Sequence, residues 1–237
     1  MREFQSLTDI SQYKNIVFFT GAGMSAESGV PTYRGEGGIW CEYNWTEYAC
    51  QSAFDTSPKD VLDFHELRRI EALKCDPHSG HEIITHVQKS IPNTKIVTQN
   101  IDGMHQRAGS VNVIELHGSL WRMRCETEGK CVDDMDNGKY KHRKCECGTW
   151  FRPDIIWFQD MLNEETVHNA TMVISTCDLF ISIGTSAVVW PAAGYPNLAK
   201  SAGALCIEIN PDETEISKLY NETIRKTASQ GLAQLFN

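Results

Sequence analysis

The chain has 237 residues, 41% of them hydrophobic and 22% charged, with a formal net charge of −9 at pH 7. That is ample for one sizeable core plus a smaller module, and the acidic balance argues against nucleic acid as the main partner while suiting a basic or lysine-bearing one. Met1 to Ser6 begin neither a signal peptide nor an arginine-rich transit peptide, and no apolar run nears the roughly 18 residues of a membrane span. Nine cysteines, an odd number, read as reduced thiols with a metal site rather than as disulfides, so no membrane partner and a cytoplasmic location are expected.

The first predicted element is a strand over 15–20, which runs into Gly21-Ala22-Gly23-Met24-Ser25 as a strand-to-helix phosphate turn. Gly21 and Gly23 permit positive φ and close backbone approach, and the N–H groups and dipole of a following helix attract a diphosphate. Two glycines without a third at dehydrogenase spacing are also compatible with a plain tight turn. Beyond them, Tyr33 and Arg34 place an aromatic and a cation in a glycine-rich stretch. An aromatic cover suits an enzyme that cleaves its nicotinamide and must exclude water; the alternative is an ordinary surface loop.

Helices are predicted over 58–74 and 79–90, then a strand over 94–98 that ends at Gln99, Asn100 and Asp102. These amides and this carboxylate can bond ribose hydroxyls or a carboxamide, although Asp102 can equally cap a helix at 103–108. A strand over 111–116 ends at His117, which is either a general base near neutral pH or a structural hydrogen-bonder. Helices over 163–176, 192–201 and 229–236 alternate with strands over 179–184 and 204–209. The alternation implies an α/β protein with a mainly parallel sheet, covered on both faces and binding ligands at the carboxyl ends of its strands. Segments 35–80 and 120–153 break the alternation and read as two insertions that together build a small domain.

Taken together, Gly21 to Arg34, Thr98-Gln99-Asn100-Ile101-Asp102, Leu116-His117-Gly118-Ser119 and Gly184-Thr185-Ser186 closely resemble the sirtuins, NAD-dependent protein lysine deacylases, over almost the whole chain. The resemblance implies a Rossmann-like doubly wound NAD-binding domain over 1–34, 81–119 and 154–237, with a smaller helical and zinc-binding domain over 35–80 and 120–153. It implies that nicotinamide leaves NAD, that the acyl oxygen of a modified lysine attacks the ribose C1′, and that His117 deprotonates a ribose hydroxyl. The products are then free lysine, nicotinamide and O-acyl-ADP-ribose. Ala22, Gly23, Tyr33 and Arg34 fall on NAD, Tyr33 standing where the family usually has phenylalanine. Gln99, Asn100 and Asp102 fall on the nicotinamide and ribose, Gly184, Thr185 and Ser186 on the second half of the dinucleotide, Asn210 on the adenosine ribose and Ala228 beside the adenine.

Cys125, Cys131, Cys145 and Cys147 fall where sirtuins carry a structural zinc, with His142 as a substitute ligand. The family usually shows two C-x-x-C pairs, whereas here five residues separate the first pair and one the second. Cys41, Cys50, Cys75, Cys177 and Cys206 read as packing residues. The branch that removes succinyl, malonyl and glutaryl groups carries a small alanine and a Tyr-x-x-Arg pair. This chain matches them at Ala49 and Arg68 but has His65 in place of the tyrosine, and an imidazole there adds a hydrogen bond, or a charge when protonated. Acylated-lysine peptides are expected to add as a strand between 154–158, with Trp157 and Phe158, and 187–191, with Val188 and Val189. Gln159-Asp160 replaces the family's usual Gly-Glu. A monomer is expected. Protein mono-ADP-ribosyl transfer and a non-catalytic NAD or ADP-ribose binding module are the two other readings.

Overall fold

The computed structural model describes residues 10–32, 38–135, 137–186 and 188–236. Tyr33 and Arg34 lie outside the described residues. In chain order the strands are β1 (Ile16–Thr20), β2 (Lys95–Thr98), β3 (Val113–Glu115), β4 (Gly118–Cys125), β5 (Lys130–Asp133), β6 (Arg152–Ile155), β7 (Leu179–Ile183), β8 (Leu205–Ile209) and β9 (Glu222–Ile224). The helices are α1 (Ile39–Glu42), α2 (Trp45–Tyr48), α3 (Gln51–Thr56), α4 (Pro58–Leu73), α5 (Ser79–Ser90), α6 (Met104–Arg107), α7 (Glu164–Ser175), α8 (Tyr195–Ser201) and α9 (Ala228–Phe236).

β1, β2, β7 and β8 form because short β-branched and aromatic runs can be buried on both faces of a parallel sheet. Along β1, Ile16 and Phe18 point to the side covered by Ile84 and Val87 of α5 and Leu232 and Leu235 of α9. Val17 and Phe19 point to the other side, against Ala170 and Ile174 of α7 and Tyr195 and Ala199 of α8. Full burial of a side chain such as Phe18 contributes about 1.5–3 kcal/mol. The six-stranded sheet runs β3-β2-β1-β7-β8-β9 and every pairing in it is parallel. Strand order therefore reverses between β1 and β7, and a crevice opens at their carboxyl ends.

A second sheet, β5-β4-β6, is antiparallel and packs with α3 and α4 around Phe54, Leu62, Trp121, Met123 and Phe151. The expected strand over 154–158 is instead β6, which ends at Ile155. Beyond it Ile156 donates to the His117 carbonyl and Phe158 to the Ala49 carbonyl, at 3.0 and 3.1 Å, so the segment crosses to other partners. The expected helix over 192–201 is a 3₁₀ turn, Ala192–Gly194, followed by α8. Pro196, which has no N–H to give, sits in the first turn of α8.

Candidate active site

The segments leaving the sheet are bonded to one another before they diverge. Gln99 N–H donates to the Thr20 carbonyl at 2.9 Å, Gly21 to Ile183 at 3.0 Å, Gly184 to Ile209 at 3.0 Å and Asn210 to Ile224 at 3.1 Å. The turn after β1 is not an α-helix but two 3₁₀ turns, Ala22–Met24 and Ala26–Ser28, and neither Gly21 nor Gly23 has positive φ. Their lack of a side chain serves contact instead. A Cβ on Gly21 would lie 2.8 Å from the Gly184 carbonyl oxygen, and one on Gly23 2.7 Å from the Gly184 Cα. Gly184, at φ 58, is the glycine here that needs the left-handed region. The amides of Gly23 and Met24 are taken up by Gly184 and Gly21, so the expected helix N-terminus for a diphosphate is not formed.

Gly21, Ala22, Gly23, Gln99, Asn100 and His117 share one cleft with Gly184, Thr185, Ser186 and Asn210. Asp102 lines an adjoining cavity of about 200 Å³, and Ala22, Asn100, Ile101 and Arg68 form the wall between the two. Ala228 is buried in the core at the start of α9 and is not among the lining residues. Asn100 donates its side-chain amide to the Gly21 carbonyl and the Ser25 hydroxyl, at 3.0 and 3.2 Å, while its buried Oδ1 has no partner. A buried acceptor left unpaired is costly unless a ligand supplies a donor. Asp102 lies one residue before the N-cap Gly103 and accepts the Met104 N–H, the first amide of α6, at 2.9 Å; burial raises its carboxyl above the usual range, with that hydrogen bond opposing.

His117 Nδ1 lies 3.0 Å from the Gln99 carbonyl, which can only accept, so Nδ1 carries the proton and Nε2 keeps its lone pair. Burial holds the imidazole below its usual pKa, with the Gln99 carbonyl opposing.

Ala49, His65, Arg68, Trp157, Phe158 and Val189 line the same cleft, whereas Val188 is exposed beside it. His65 is 1% exposed, and its Nε2 accepts the Trp157 indole N–H at 3.2 Å with the two rings nearly parallel. Burial, then the nearby Arg68 cation, lower its pKa to about 3. Of the two roles expected for His65, a hydrogen bond or a charge when protonated, this leaves the first: the imidazole is a neutral wall, and Arg68 is the guanidinium of the pocket. Sequence reasoning missed this indole contact, because the two residues are 92 positions apart.

It also missed how the next turn is held. Asp160 N–H donates to the Trp157 carbonyl at 3.1 Å, and Gln159 adopts φ 74 inside that turn, a position that favours glycine. The Asp160 carboxylate accepts from Trp157 N–H and from buried Arg152, whose guanidinium lies 3.9 Å over the Trp157 ring. The left-handed conformation costs about 1–2 kcal/mol, part of which glycine gives back through unfolded-state entropy. Gln159→Gly is therefore expected to raise stability by about 0.5–1 kcal/mol, read as a small rise in Tm; an unchanged or lower Tm would show that the Gln159 side chain makes up the strain.

The thiols of Cys125, Cys145 and Cys147 and the Glu128 carboxylate have donor atoms within 4.8 Å of one another. Cys131 is not among them. It lies on β5 opposite Arg124 of β4, and because directly paired residues share a face and adjacent residues along a strand do not, it points away from the Cys125 side. The hairpin loop between Cys125 and Lys130 brings Glu128 round instead, 3.1 Å from Cys145 Sγ. His142 is exposed and outside the group. Three thiolates and a carboxylate are all zinc donors and suit a closed tetrahedral site, so the set fits one structural zinc. Cys131→Ser is expected to keep about one zinc per chain by elemental analysis, and Cys147→Ser to lose it and to unfold at lower temperature; loss of zinc from Cys131→Ser would return that thiol to the site. Of the cysteines expected to pack, Cys50, Cys177 and Cys206 are buried, Cys75 is partly exposed, and Cys41 is exposed.

A parallel sheet with a strand-order reversal, a glycine contact at that point and a polar cluster around it define a nucleotide-binding α/β enzyme. The Sir2 family model matches residues 21–191, and the chain belongs to that family. It is 41% identical to an NAD-dependent protein deacylase of Aquifex aeolicus over 94% of each chain. It is 39% identical to an NAD-dependent protein deacetylase of Halalkalibacterium halodurans over 92% of each. A crystal structure of a Sir2 homolog–NAD complex superposes with a TM-score of 0.86 at 35% identity, covering 98% of this chain and 93% of that one.

Proposed function

We propose that the protein is an NAD-dependent protein lysine deacylase. The observation that carries this reading is the pairing, in one cleft, of an imidazole with a free Nε2 lone pair at His117 and an unpartnered buried acceptor at Asn100 Oδ1. NAD, when bound, supplies a nicotinamide leaving group and an electrophilic ribose C1′. Asn100 Oδ1 offers an acceptor to a carboxamide or hydroxyl, with Gln99 and Asp102 beside it. Gly21, Ala22, Gly23, Gly184, Thr185 and Ser186 bind the dinucleotide, and Asn210 its adenosine end, with Ala228 packed in the core and outside the lining of the cleft. Tyr33 and Arg34 form its cover. His117 Nε2 takes a proton from a ribose hydroxyl, aided by burial that holds its pKa below the ordinary value and so favours the neutral form.

The acylated lysine enters past Ala49, Trp157 and Phe158, its peptide pairing with the segments around Phe158 and Val188–Val189. A carboxylated acyl group is read by Arg68 through a charge-assisted bond, with neutral His65 as the wall beside it. The sheet and the module around β4–β6 are two domains divided near residues 34, 80, 119 and 153. Incubation with NAD and matched acetyl-lysine and succinyl-lysine peptides is expected to release nicotinamide and O-acyl-ADP-ribose. ADP-ribose left on protein, or NAD unchanged with every acylated peptide, would overturn the reading.

A further inference from the structure

Two of the most exposed apolar side chains among the described residues stand on this cleft. Met161 is 88% exposed and Trp190 76% exposed, and both line it. They come from the two segments between which the substrate main chain is proposed to run: Met161 follows the Trp157–Asp160 turn, and Trp190 follows Val188 and Val189. Trp190 is exposed but not loose. A Cβ on Gly194 would lie 3.1 Å from its ring, so the indole edge rests closely against Gly194. A tryptophan held ready at a cleft mouth, with unbranched and adaptable methionine on the other segment, is an apolar clamp for a side chain that the free protein does not supply.

Charge narrows the occupant. Glu164, three residues beyond Met161, puts a carboxylate on the lining, the chain carries a formal net charge of −9, and among the described residues Arg68 is the one Arg or Lys of that lining. A peptide bringing further carboxylates to this mouth meets repulsion, whereas lysine or arginine meets attraction.

We infer that Trp190 and Met161 select substrates in which a large apolar residue neighbours the acylated lysine, within an otherwise basic stretch. This rests on the deacylase reading and names its substrate class. The test uses the full chain, saturating NAD, and acetyl-lysine peptides that differ only in one neighbour of the modified lysine, Leu, Phe, Ala or Asp placed before or after it, in Lys-rich or Glu-rich surroundings. In at least one of these positions Leu or Phe is expected to raise kcat/KM about tenfold over Ala, through KM rather than kcat. The Lys-rich set should be preferred, and that preference should shrink as NaCl rises.

In Trp190→Ala the apolar preference should fall to within about twofold, and Met161→Ala should reduce it. Trp190→Phe, which keeps an aromatic platform, should retain most of it, separating loss of the clamp from loss of fold. Equal turnover of the Leu, Phe, Ala and Asp peptides, or a preference that survives in Trp190→Ala, would overturn the inference while leaving the deacylase reading intact. No NAD-dependent turnover of any peptide would overturn the deacylase reading and this inference with it.

Discussion

The His117→Ala protein is expected to bind NAD nearly as the wild type does and to lose turnover by a factor of about 10²–10⁴, the range a positioned general base supplies. The reason is local. Nδ1 is committed to the Gln99 carbonyl, so the substitution removes a side chain whose reactive nitrogen is Nε2, while the Gly21–Gly23 and Gly184–Ser186 backbone that would hold the dinucleotide is left in place. Calorimetric NAD binding together with single-turnover rates separates the two effects.

The pH profile carries the same argument. Burial lowers the His117 pKa, so the neutral, competent form persists below the ordinary histidine value of about 6.5 and activity should fall only at more acidic pH. His117→Ala should lose that acid limb along with the rate. Wild-type-like turnover in the variant would remove His117 from the chemistry, and an acid limb unchanged in its residual activity would assign that limb to another group.

Arg68→Met should weaken succinyl-peptide turnover far more than acetyl-peptide turnover. Removing the charged partner of a buried carboxylate costs roughly 2–5 kcal/mol, about thirtyfold to several thousandfold in kcat/KM. Acetyl-lysine has no carboxylate to strand, so its rate should change only a few-fold. His65 sharpens the test. With a pKa of about 3 it is neutral throughout pH 6–8, so the wild-type ratio of succinyl to acetyl turnover should be flat across that window. A ratio that rises as pH falls from 8 to 6 would mean that His65 gains a proton in the complex. Equal losses on both peptides in Arg68→Met would make Arg68 structural.

Legibility in the sequence followed burial. β1, β2, β7 and β8 are apolar runs because both their faces are covered, and they could be read within a residue or so of their ends. β4, by contrast, carries Arg122 and Arg124 on its half-buried face, where they pair with Glu115 and Asp154, so its alternation did not read as a strand of the main pattern. β9 is three residues with one buried, too short for any periodic signal. Arg69, fully buried between Trp121 and Tyr140 and bonded to the Asp134 and Asn137 carbonyls, looks in the sequence like one more charge on a solvated helix face.

Taken by itself, the sequence determined the fold class, the family, the order of the polar clusters at strand ends and the place of His117 after one of those strands, because each depends on residues adjacent along the chain. Tertiary structure decided why Gly21 and Gly23 must be glycines, since the obstruction is the Gly184 backbone on another strand. It decided that Glu128 rather than Cys131 joins three thiols, since β-pairing turns Cys131 to the opposite face. It decided that His65 is neutral, since the indole that bonds it and the burial that discharges it come from elements far apart in the chain.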